Sequence, residues 1–257
     1  MKLPILAVAL IAFTAPLPSA AQDSPNGLRN PDSEFVDTTE RGAWHAVIER
    51  TERGHRIGNP QAKTELIEFI SYTCAHCADF AREGEGTLDL ALLEPGLLTL
   101  EVRPVIRNAL DLTVSLLVQC GDPAGFKQRH RLFLLSHDRW LSEAQRAPRT
   151  QQASWERGDA AARLSAARAL DLDDMLVERG MSMIDVNACL SDETAARTLI
   201  GNGLADVADF AVPGTPSFAL EGELLKDVHG WDALYGVLSD YFRPETIRAR
   251  RQDADTP

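Results

Sequence analysis

The strongest chemical feature of the sequence is a pair of cysteines separated by two residues, Cys74 and Cys77. Such a C-x-x-C pair can bind zinc, form a structural bridge or exchange electrons through a reversible disulfide. Zinc requires about four ligands, and the sequence holds no second C-x-x-C pair. His130 and His137 lie one heptad apart in a predicted helix, a placement more typical of core or surface histidines than of ligands. The residues therefore favour redox chemistry over a metal site or a purely structural bridge.

The predicted position of the pair at the start of a helix supports this chemistry. The reactive species is the thiolate, and an unperturbed cysteine with a pKa of about 8.5 is only a few per cent ionised at neutral pH. The dipole and unpaired N–H groups of a helix N-terminus lower the pKa of a nearby thiol by roughly one unit. Cys74 is predicted to be the nucleophile and Cys77 the resolving cysteine. His76 is predicted to supply a positive charge or a donor to the Cys74 sulfur, with a solvent-facing spacer as the alternative.

The residues around the pair predict a strand–helix–strand unit. The nearly continuous apolar run at 65–70 predicts a strand that is covered on both faces and ends just before the cysteines. A helix is predicted at 78–93, and Gly84 and Gly86 predict a kink or break within it. The stretch at 97–106 predicts the next strand, so the three elements form a right-handed βαβ unit.

The rest of the chain is predicted to be a long helical segment flanked by short strands. Helical spacing of apolar residues runs through 108–210, although the polar stretch at 145–158 is compatible with a loop. The remaining predicted elements are short strands at 46–48, 55–57, 217–221 and 223–228 and a closing helix at 231–242. This alternation of strands and helices predicts the α/β fold class.

The N-terminal residues predict export. A basic Lys2, an apolar run and the small residues Ser19, Ala20 and Ala21 predict a signal peptide over residues 1–21, with an uncleaved anchor as the alternative. A flexible leader is predicted at 22–43 and a polar tail at 244–257. Four cysteines in an exported chain indicate an oxidising compartment. The formal net charge of −12 argues against nucleic acid or an anionic membrane surface as a partner.

Two segments resemble the DsbA-like thioredoxin-fold oxidoreductases of the bacterial periplasm. They are Leu-Ile-Glu-Phe-Ile-Ser-Tyr-Thr-Cys-Ala-His-Cys-Ala-Asp-Phe at 66–80 and Val-Pro-Gly-Thr-Pro-Ser-Phe at 212–218. The resemblance covers most of the chain after the predicted signal peptide. It implies a thioredoxin-like domain formed by residues 44–107 and 211–243, with an all-helical insertion domain at 108–210.

The resemblance also implies roles for residues outside the cysteine pair. Pro216 matches a cis-proline that packs beside the pair, and Thr215 matches the residue that offers its backbone to an extended substrate peptide. The alternative for Pro213 and Pro216 is that they only stiffen a loop. Glu68 matches a buried acid that shuttles a proton to or from the resolving cysteine, with a solvent-facing strand glutamate as the alternative.

Further features of the resemblance concern a second cysteine pair and two departures. Some family members bridge cysteines placed similarly to Cys120 and Cys189, which implies a structural disulfide here; free thiols or a regulatory bridge are the alternatives. Ala75 stands where the family usually has proline, a change that can alter the redox potential. Thr215 occurs in both oxidases and isomerases of the family and does not separate them.

The resulting functional hypothesis is a monomeric periplasmic oxidase that donates its Cys74–Cys77 disulfide to folding protein clients. A membrane-bound, quinone-linked partner would restore the disulfide, as in the family. No cofactor and no metal are expected. The alternatives are a disulfide isomerase or reductase of the same fold and a non-catalytic peptide-binding or chaperone module. The short leader has no room for the N-terminal dimerisation domain of known isomerases, which favours the oxidase.

Overall fold

A six-stranded sheet forms the centre of the part of the chain that the computed structural model describes, residues 43–246. Its strand order is β1-β2-β4-β3-β5-β6, and β3 and β4 are parallel whereas every other neighbouring pair is antiparallel. The strands are β1 Ile48–Arg50, β2 His55–Gly58, β3 Thr64–Ile70, β4 Leu98–Pro104, β5 Ser217–Leu220 and β6 Glu223–Leu224. The parallel β3–β4 pair, joined through helices, confirms the predicted βαβ unit.

Eleven α-helices accompany the sheet within residues 43–246. They are α1 Ala75–Glu83, α2 Glu85–Leu88, α3 Ala109–Val118, α4 Phe126–Leu135, α5 His137–Arg146, α6 Arg149–Trp155, α7 Ala160–Ala169, α8 Leu172–Val177, α9 Met183–Ser191, α10 Glu193–Phe210 and α11 Trp231–Tyr241. A thioredoxin-like arrangement of sheet and helices with additional helical content is therefore present. The boundaries proposed between its domain and insertion stay a prediction.

Strand β3 positions the cysteine pair. Five of its seven residues form an unbroken buried run, from Leu66 to Ile70, because β4 and β5 pair with both edges of the strand and helices cover the faces of the sheet. Burial of each of the four apolar side chains in this run stabilises the fold by about 1.5–3 kcal/mol relative to exposure. Three residues separate the end of the strand at Ile70 from Cys74, the N-cap residue of α1. The position of this central strand therefore determines where the pair lies.

The helix after the pair is broken at Gly84, as the sequence predicted. Helix α1 ends there, α2 follows, and a π-helical turn covers Asp89–Leu93, so the predicted break within 78–93 is confirmed. The structural reason for glycine is packing as well as propensity. A Cβ atom at Gly84 would lie 2.5 Å from the indole ring of Trp231 in α11. The missing side chain at Gly84 therefore lets α11 pack closely against the end of α1.

Several helices in the helical segment begin with a side-chain N-cap. Asn108, Asp159, Ser182 and Asp192 accept backbone N–H bonds at the starts of α3, α7, α9 and α10. Each such cap contributes about 1 kcal/mol. The prediction of an all-helical 108–210 is confirmed, but the suggested loop at 145–158 is wrong. Helix α6 lies there, and its Trp155 is buried in the main core.

Two predicted strands differ in extent from the observed ones. Residues 44–46 form a 3₁₀ turn, so β1 starts at Ile48. The strand predicted at 223–228 ends at Leu224, and Asp227 adopts a left-handed backbone conformation that does not continue a strand. The predicted signal peptide, nearly all of the leader and most of the polar tail lie outside the described residues. Within the described range, no helix combines the length and apolarity needed to cross a membrane.

Candidate active site

Cys74 is the N-cap residue of α1 and has an extended backbone. Its N–H donates to the Ser71 carbonyl at 3.1 Å, which closes the turn between β3 and the helix. Cys77 lies in the first helical turn, completely buried, and both cysteines are free thiols. The predicted placement of the pair at a helix N-terminus is therefore observed.

The two thiols have opposite electrostatic environments. A hydrogen bond from the Cys77 thiol, together with backbone N–H groups of His76 and Cys77, lowers the pKa of Cys74 from 9.0 to about 4 despite its burial. Burial and the neighbouring Cys74 raise the pKa of Cys77 well above its usual range. At neutral pH the site therefore holds a Cys74 thiolate and a Cys77 thiol. The sequence assigned the lowering of this pKa to the helix N-terminus and to the His76 side chain, whereas the largest contribution comes from the Cys77 thiol.

Thr215 and Pro216 face the nucleophile. The Cys74 sulfur lies 3.0 Å from the Thr215 carbonyl oxygen, and the Thr215–Pro216 peptide bond is cis. His229 Nδ1 lies 2.8 Å from the Pro216 carbonyl oxygen, and the Ser217 hydroxyl donates to the Gly214 carbonyl at 2.8 Å. These contacts hold the loop beside the cysteines. His229 gave no signal in the sequence, because nothing in its neighbourhood indicates that it would meet a loop 13 residues earlier.

Glu68 lies inside the protein beneath the pair. Its β3 position pairs with Val102 and Phe218, its side chain is fully buried, and neither carboxyl oxygen has a hydrogen-bond partner. Burial, and secondarily the charge of Glu85, raise the pKa of Glu68 well above its usual range. The solvent-facing alternative is therefore wrong. Glu68 interacts electrostatically with Cys77, as a proton donor or acceptor for that thiol must, and its shuttle role stays a prediction.

The imidazole of His76 does not take the predicted place at the Cys74 sulfur. The side chain is 79% exposed, and its Nδ1 lies 3.8 Å from Asp79 Oδ2. Only the backbone N–H of His76 acts on the thiolate. The ring lies outside the site because residue 76 occupies the solvent-facing side of the first helical turn, so the solvent-facing alternative describes it better.

Cys120 and Cys189 form a disulfide that joins the region after α3 to α9. Their Cα atoms lie 5.7 Å apart, and the two cysteines are 69 positions apart in the sequence. The alternative of two free thiols does not describe this structure. Whether the bridge is structural or regulatory stays a prediction.

Several polar residues that the sequence did not single out surround the turn at 71–73. Asp111 accepts from the Tyr72 N–H at 2.8 Å and from the Arg107 N–H at 3.0 Å, while Asn108 donates to the Thr73 hydroxyl at 3.0 Å. Burial raises the pKa of Asp111 to about 6. The Asn-x-x-Asp spacing at the start of α3 could have indicated a helix cap, but not that the cap holds the active-site turn.

A second set of buried polar side chains, joined by hydrogen bonds, begins at Tyr72 and leads away from the cysteines. The Tyr72 hydroxyl lies 2.9 Å from His130 Nδ1, and His130 Nε2 lies 2.8 Å from Glu85 Oε1. His130 is therefore a core residue, one of the two kinds of position expected of it. His137 is buried as well. In the described part of the chain, no three His, Cys, Asp or Glu side chains are grouped so as to hold a metal ion.

Comparison with known proteins gives the same family from two directions. A family model described as thioredoxin matches residues 50–240. A crystal structure of a protein-disulfide isomerase from Novosphingobium aromaticivorans is 34% identical, with a TM-score of 0.71, and the match covers 74% of this chain and 98% of that one. The structure of alpha-DsbA1 from Wolbachia pipientis has a TM-score of 0.59 over 76% of this chain and 92% of that one. At 15% identity, that match establishes similarity of fold alone.

Curated relatives are more distant and longer. A Rickettsia conorii protein, provisionally named a protein-disulfide oxidoreductase, is 27% identical over 169 residues, which are 65% of this chain and 52% of the relative. A Rickettsia typhi protein of the same provisional name is also 27% identical, and the match covers 54% of it. The chain thus spans about half the length of the curated relatives that it matches.

Proposed function

The chain belongs to the thioredoxin family, and we propose that it is a thiol-disulfide oxidoreductase of DsbA type that reacts through Cys74 and Cys77. The observation that carries this proposal is the pairing of a stabilised Cys74 thiolate with a protonated, buried Cys77. A nucleophile and a resolving thiol are the two parts that disulfide exchange requires. The cis Thr215–Pro216 loop beside the sulfur leaves backbone groups next to the reacting atom, where an extended client can add as a strand.

We propose further that the protein works mainly as an oxidase. In the oxidised form, a client thiolate attacks the Cys74 sulfur, the Cys74–Cys77 bond breaks, and Cys77 leaves and takes a proton. A second client thiolate then attacks the client sulfur of the mixed disulfide and expels the Cys74 thiolate. Everything that stabilises this thiolate favours the reduced protein, and so makes its disulfide a stronger oxidant. The low pKa of Cys74 supports this direction.

Isomerase or reductase activity is the second candidate. The 34% identical Novosphingobium relative is described as a protein-disulfide isomerase, which favours this alternative. The two directions differ in the reduction potential of the pair. Equilibration with glutathione should give a value near the DsbA range of about −120 mV for an oxidase and near about −270 mV for a thioredoxin-like reductase.

The cellular setting is part of the proposal. The predicted signal peptide supports export to the periplasm, where disulfides persist. There the clients would be reduced or misbridged proteins, and a membrane-bound oxidant would regenerate the disulfide of a monomeric enzyme. Nucleic acid is not proposed as a partner, because the chain carries a formal net charge of −12.

Refolding of reduced ribonuclease tests the activity. With oxidised glutathione as the terminal oxidant, catalytic amounts of the protein should speed the recovery of ribonuclease activity, and Cys74→Ser should reduce the rate to that of the glutathione buffer alone because no mixed disulfide can form at that position. Tyr235→Phe, which changes a half-exposed side chain of α11 and keeps the reactive pair, serves as the control. Full activity of Cys74→Ser would refute the proposal.

A further inference from the structure

The buried position of Glu68 separates its carboxyl group from solvent. The side chain is fully buried and has no hydrogen-bond partner, so it cannot exchange a proton with solvent directly. Each catalytic cycle changes the protonation of Cys77, which is just as deeply buried. If Glu68 is to serve Cys77 repeatedly, a route to the surface is needed.

A chain of buried polar groups starts near Glu68 and ends at the surface. Tyr72 is fully buried and interacts electrostatically with both Glu68 and Cys77. Its hydroxyl contacts His130 Nδ1 at 2.9 Å, and His130 Nε2 contacts Glu85 Oε1 at 2.8 Å. The other oxygen of Glu85 accepts from Arg131 at 2.8 Å, and the side chain of Arg131 is 33% exposed.

The charges fix the direction of the hydrogen bonds. One oxygen of Glu85 accepts from Arg131 and the other contacts His130 Nε2; in this ion pair the carboxylate can only accept, so His130 Nε2 carries the hydrogen and donates to it. His130 Nδ1 is then an acceptor, and the Tyr72 hydroxyl donates to it. The lone pairs of the Tyr72 oxygen remain free to accept a proton from the side of Glu68. Every donor in the chain thus points from the interior toward the surface.

The outer end of the chain reaches solvent through a small cavity. Its volume is about 10 Å³, about the size that holds one water molecule. Glu85 and His130 line it, together with the ion pair of Lys127 and Asp89 at 2.7 Å. At the inner end, the Tyr72 hydroxyl and the Glu68 carboxyl make no direct hydrogen bond, so the relay requires water to bridge these two groups.

We propose that Tyr72, His130 and Glu85 form a proton relay that connects Glu68, and through it Cys77, to solvent. The proposal rests on the proposed function and adds to it. When Cys77 must become a nucleophile, Glu68 passes its proton to Tyr72, Tyr72 passes one to His130, and His130 passes one to Glu85, which releases it to water. Glu68 then accepts the Cys77 proton. The Cys77 thiolate attacks the Cys74 sulfur of the mixed disulfide, forms the Cys74–Cys77 bond and expels the other thiolate.

Two other ionisable side chains, His55 and Arg129, interact with members of the relay. His55 of β2 lies close to His130, and burial lowers its pKa to about 3, so it stays neutral during the cycle. Arg129 acts electrostatically on Tyr72 and is held by the Val118 and Asp122 carbonyls. Around Glu68 itself, the titratable groups that act on it or respond to it are Cys77, Tyr72 and Glu85.

Reaction with the aromatic disulfide DTNB tests the relay in the intact protein. The Cys74 thiolate attacks DTNB and releases one coloured thiolate, and Cys77 then resolves the adduct and releases a second. In Tyr72→Phe and His130→Gln, the first phase should keep the wild-type rate, while the second should slow at least tenfold between pH 6 and 8 and show a larger solvent deuterium isotope effect. Tyr235→Phe removes a hydroxyl from a half-exposed helical position and should change neither phase.

A double-mutant cycle separates a relay from a structural role. Glu68→Gln should slow the second phase by itself, and Tyr72→Phe in that background should add no further loss because Tyr72 acts through Glu68. If the rate of the second phase stays within twofold of wild type in both Tyr72→Phe and His130→Gln, the relay is overturned and the proposed function is not. The same conclusion follows if Glu68→Gln and Tyr72→Phe cause equal losses of rate that add in the double variant. Failure of the wild-type protein to release the second thiolate would overturn the proposed function and the relay with it.

Discussion

Cys74 and Cys77 show how two identical side chains acquire opposite properties through their positions in one helical turn. The Cys77 thiol can donate to the Cys74 sulfur only because it stays protonated, and burial keeps it so. A carbonyl oxygen of the Thr215 loop and two backbone N–H groups complete the surroundings of the nucleophile. The acid–base difference between the cysteines therefore belongs to the pair and not to either residue alone.

This difference makes the stability of the reduced protein depend on pH. Since the folded pKa of Cys74, about 4, lies below its ordinary value of 9.0, the stabilisation is complete above pH 9 and disappears as the pH falls through 4. The oxidised protein has no thiolate there. The melting temperature of the reduced protein relative to the oxidised one should therefore rise between pH 4 and 8, by at least about 2–4 °C, the effect of about 1 kcal/mol in a chain of this size.

Calorimetry of both redox forms at each pH measures this difference. Glu68 has its pKa raised, so it stabilises the fold below its ordinary pKa and loses that effect as the pH rises. It is present in both forms and largely cancels in the comparison. A melting difference that is flat or falls with pH would contradict the depressed pKa of Cys74.

At the scale of elements, the close contact between α1 and α11 depends on the missing side chain of Gly84. In Gly84→Ala, the new Cβ meets the Trp231 ring at 2.5 Å, so the free energy of unfolding should fall by about 1–3 kcal/mol even though alanine favours helices. Gly86→Ala is the matched control, because nothing lies within 4 Å of its Cβ position. It should leave stability unchanged or raise it by up to about 1 kcal/mol.

Urea unfolding followed by circular dichroism measures both glycine variants. Equal effects of the two substitutions would show that helix propensity, and not the Trp231 contact, decides the outcome.

The elements also show which parts of the fold are predictable from sequence. Strand β3 and the break at Gly84 follow from local patterns, since a continuous apolar run is typical of a strand buried on both faces and glycine weakens a helix interior. Helix α6 could not be predicted in this way, because its sequence is polar. Its one buried side chain, Trp155, holds it by packing into the main core, a contact that local sequence does not reveal. The candidate site shows the same difference between local patterns and long-range contacts. The cysteines are visible in the sequence, whereas the link from Tyr72 to His130 joins residues 58 positions apart.

For the whole molecule, the Cys120–Cys189 bridge closes a long loop within the helical segment. On the chain-entropy estimate, removing it with Cys120→Ala/Cys189→Ala should lower the free energy of unfolding by roughly 4 kcal/mol. If the bridge is structural, the rate of exchange at Cys74 in the folded variant should stay within about twofold of wild type. Urea unfolding and the first DTNB phase measure the two quantities. A changed exchange rate with unchanged stability would instead indicate a regulatory bridge.

The Thr215 carbonyl that touches the Cys74 sulfur comes 141 residues later in the chain. Helix α1, nine residues long, is too short to be stable by itself, and the rings of Phe218 and Trp231 pack against its Phe80. The helix N-terminus that stabilises the Cys74 thiolate is therefore held in place only after almost the entire polypeptide has been synthesised and has folded. Until then Cys74 is an ordinary thiol, and a newly made chain is spared from attacking its neighbours before its own architecture is complete.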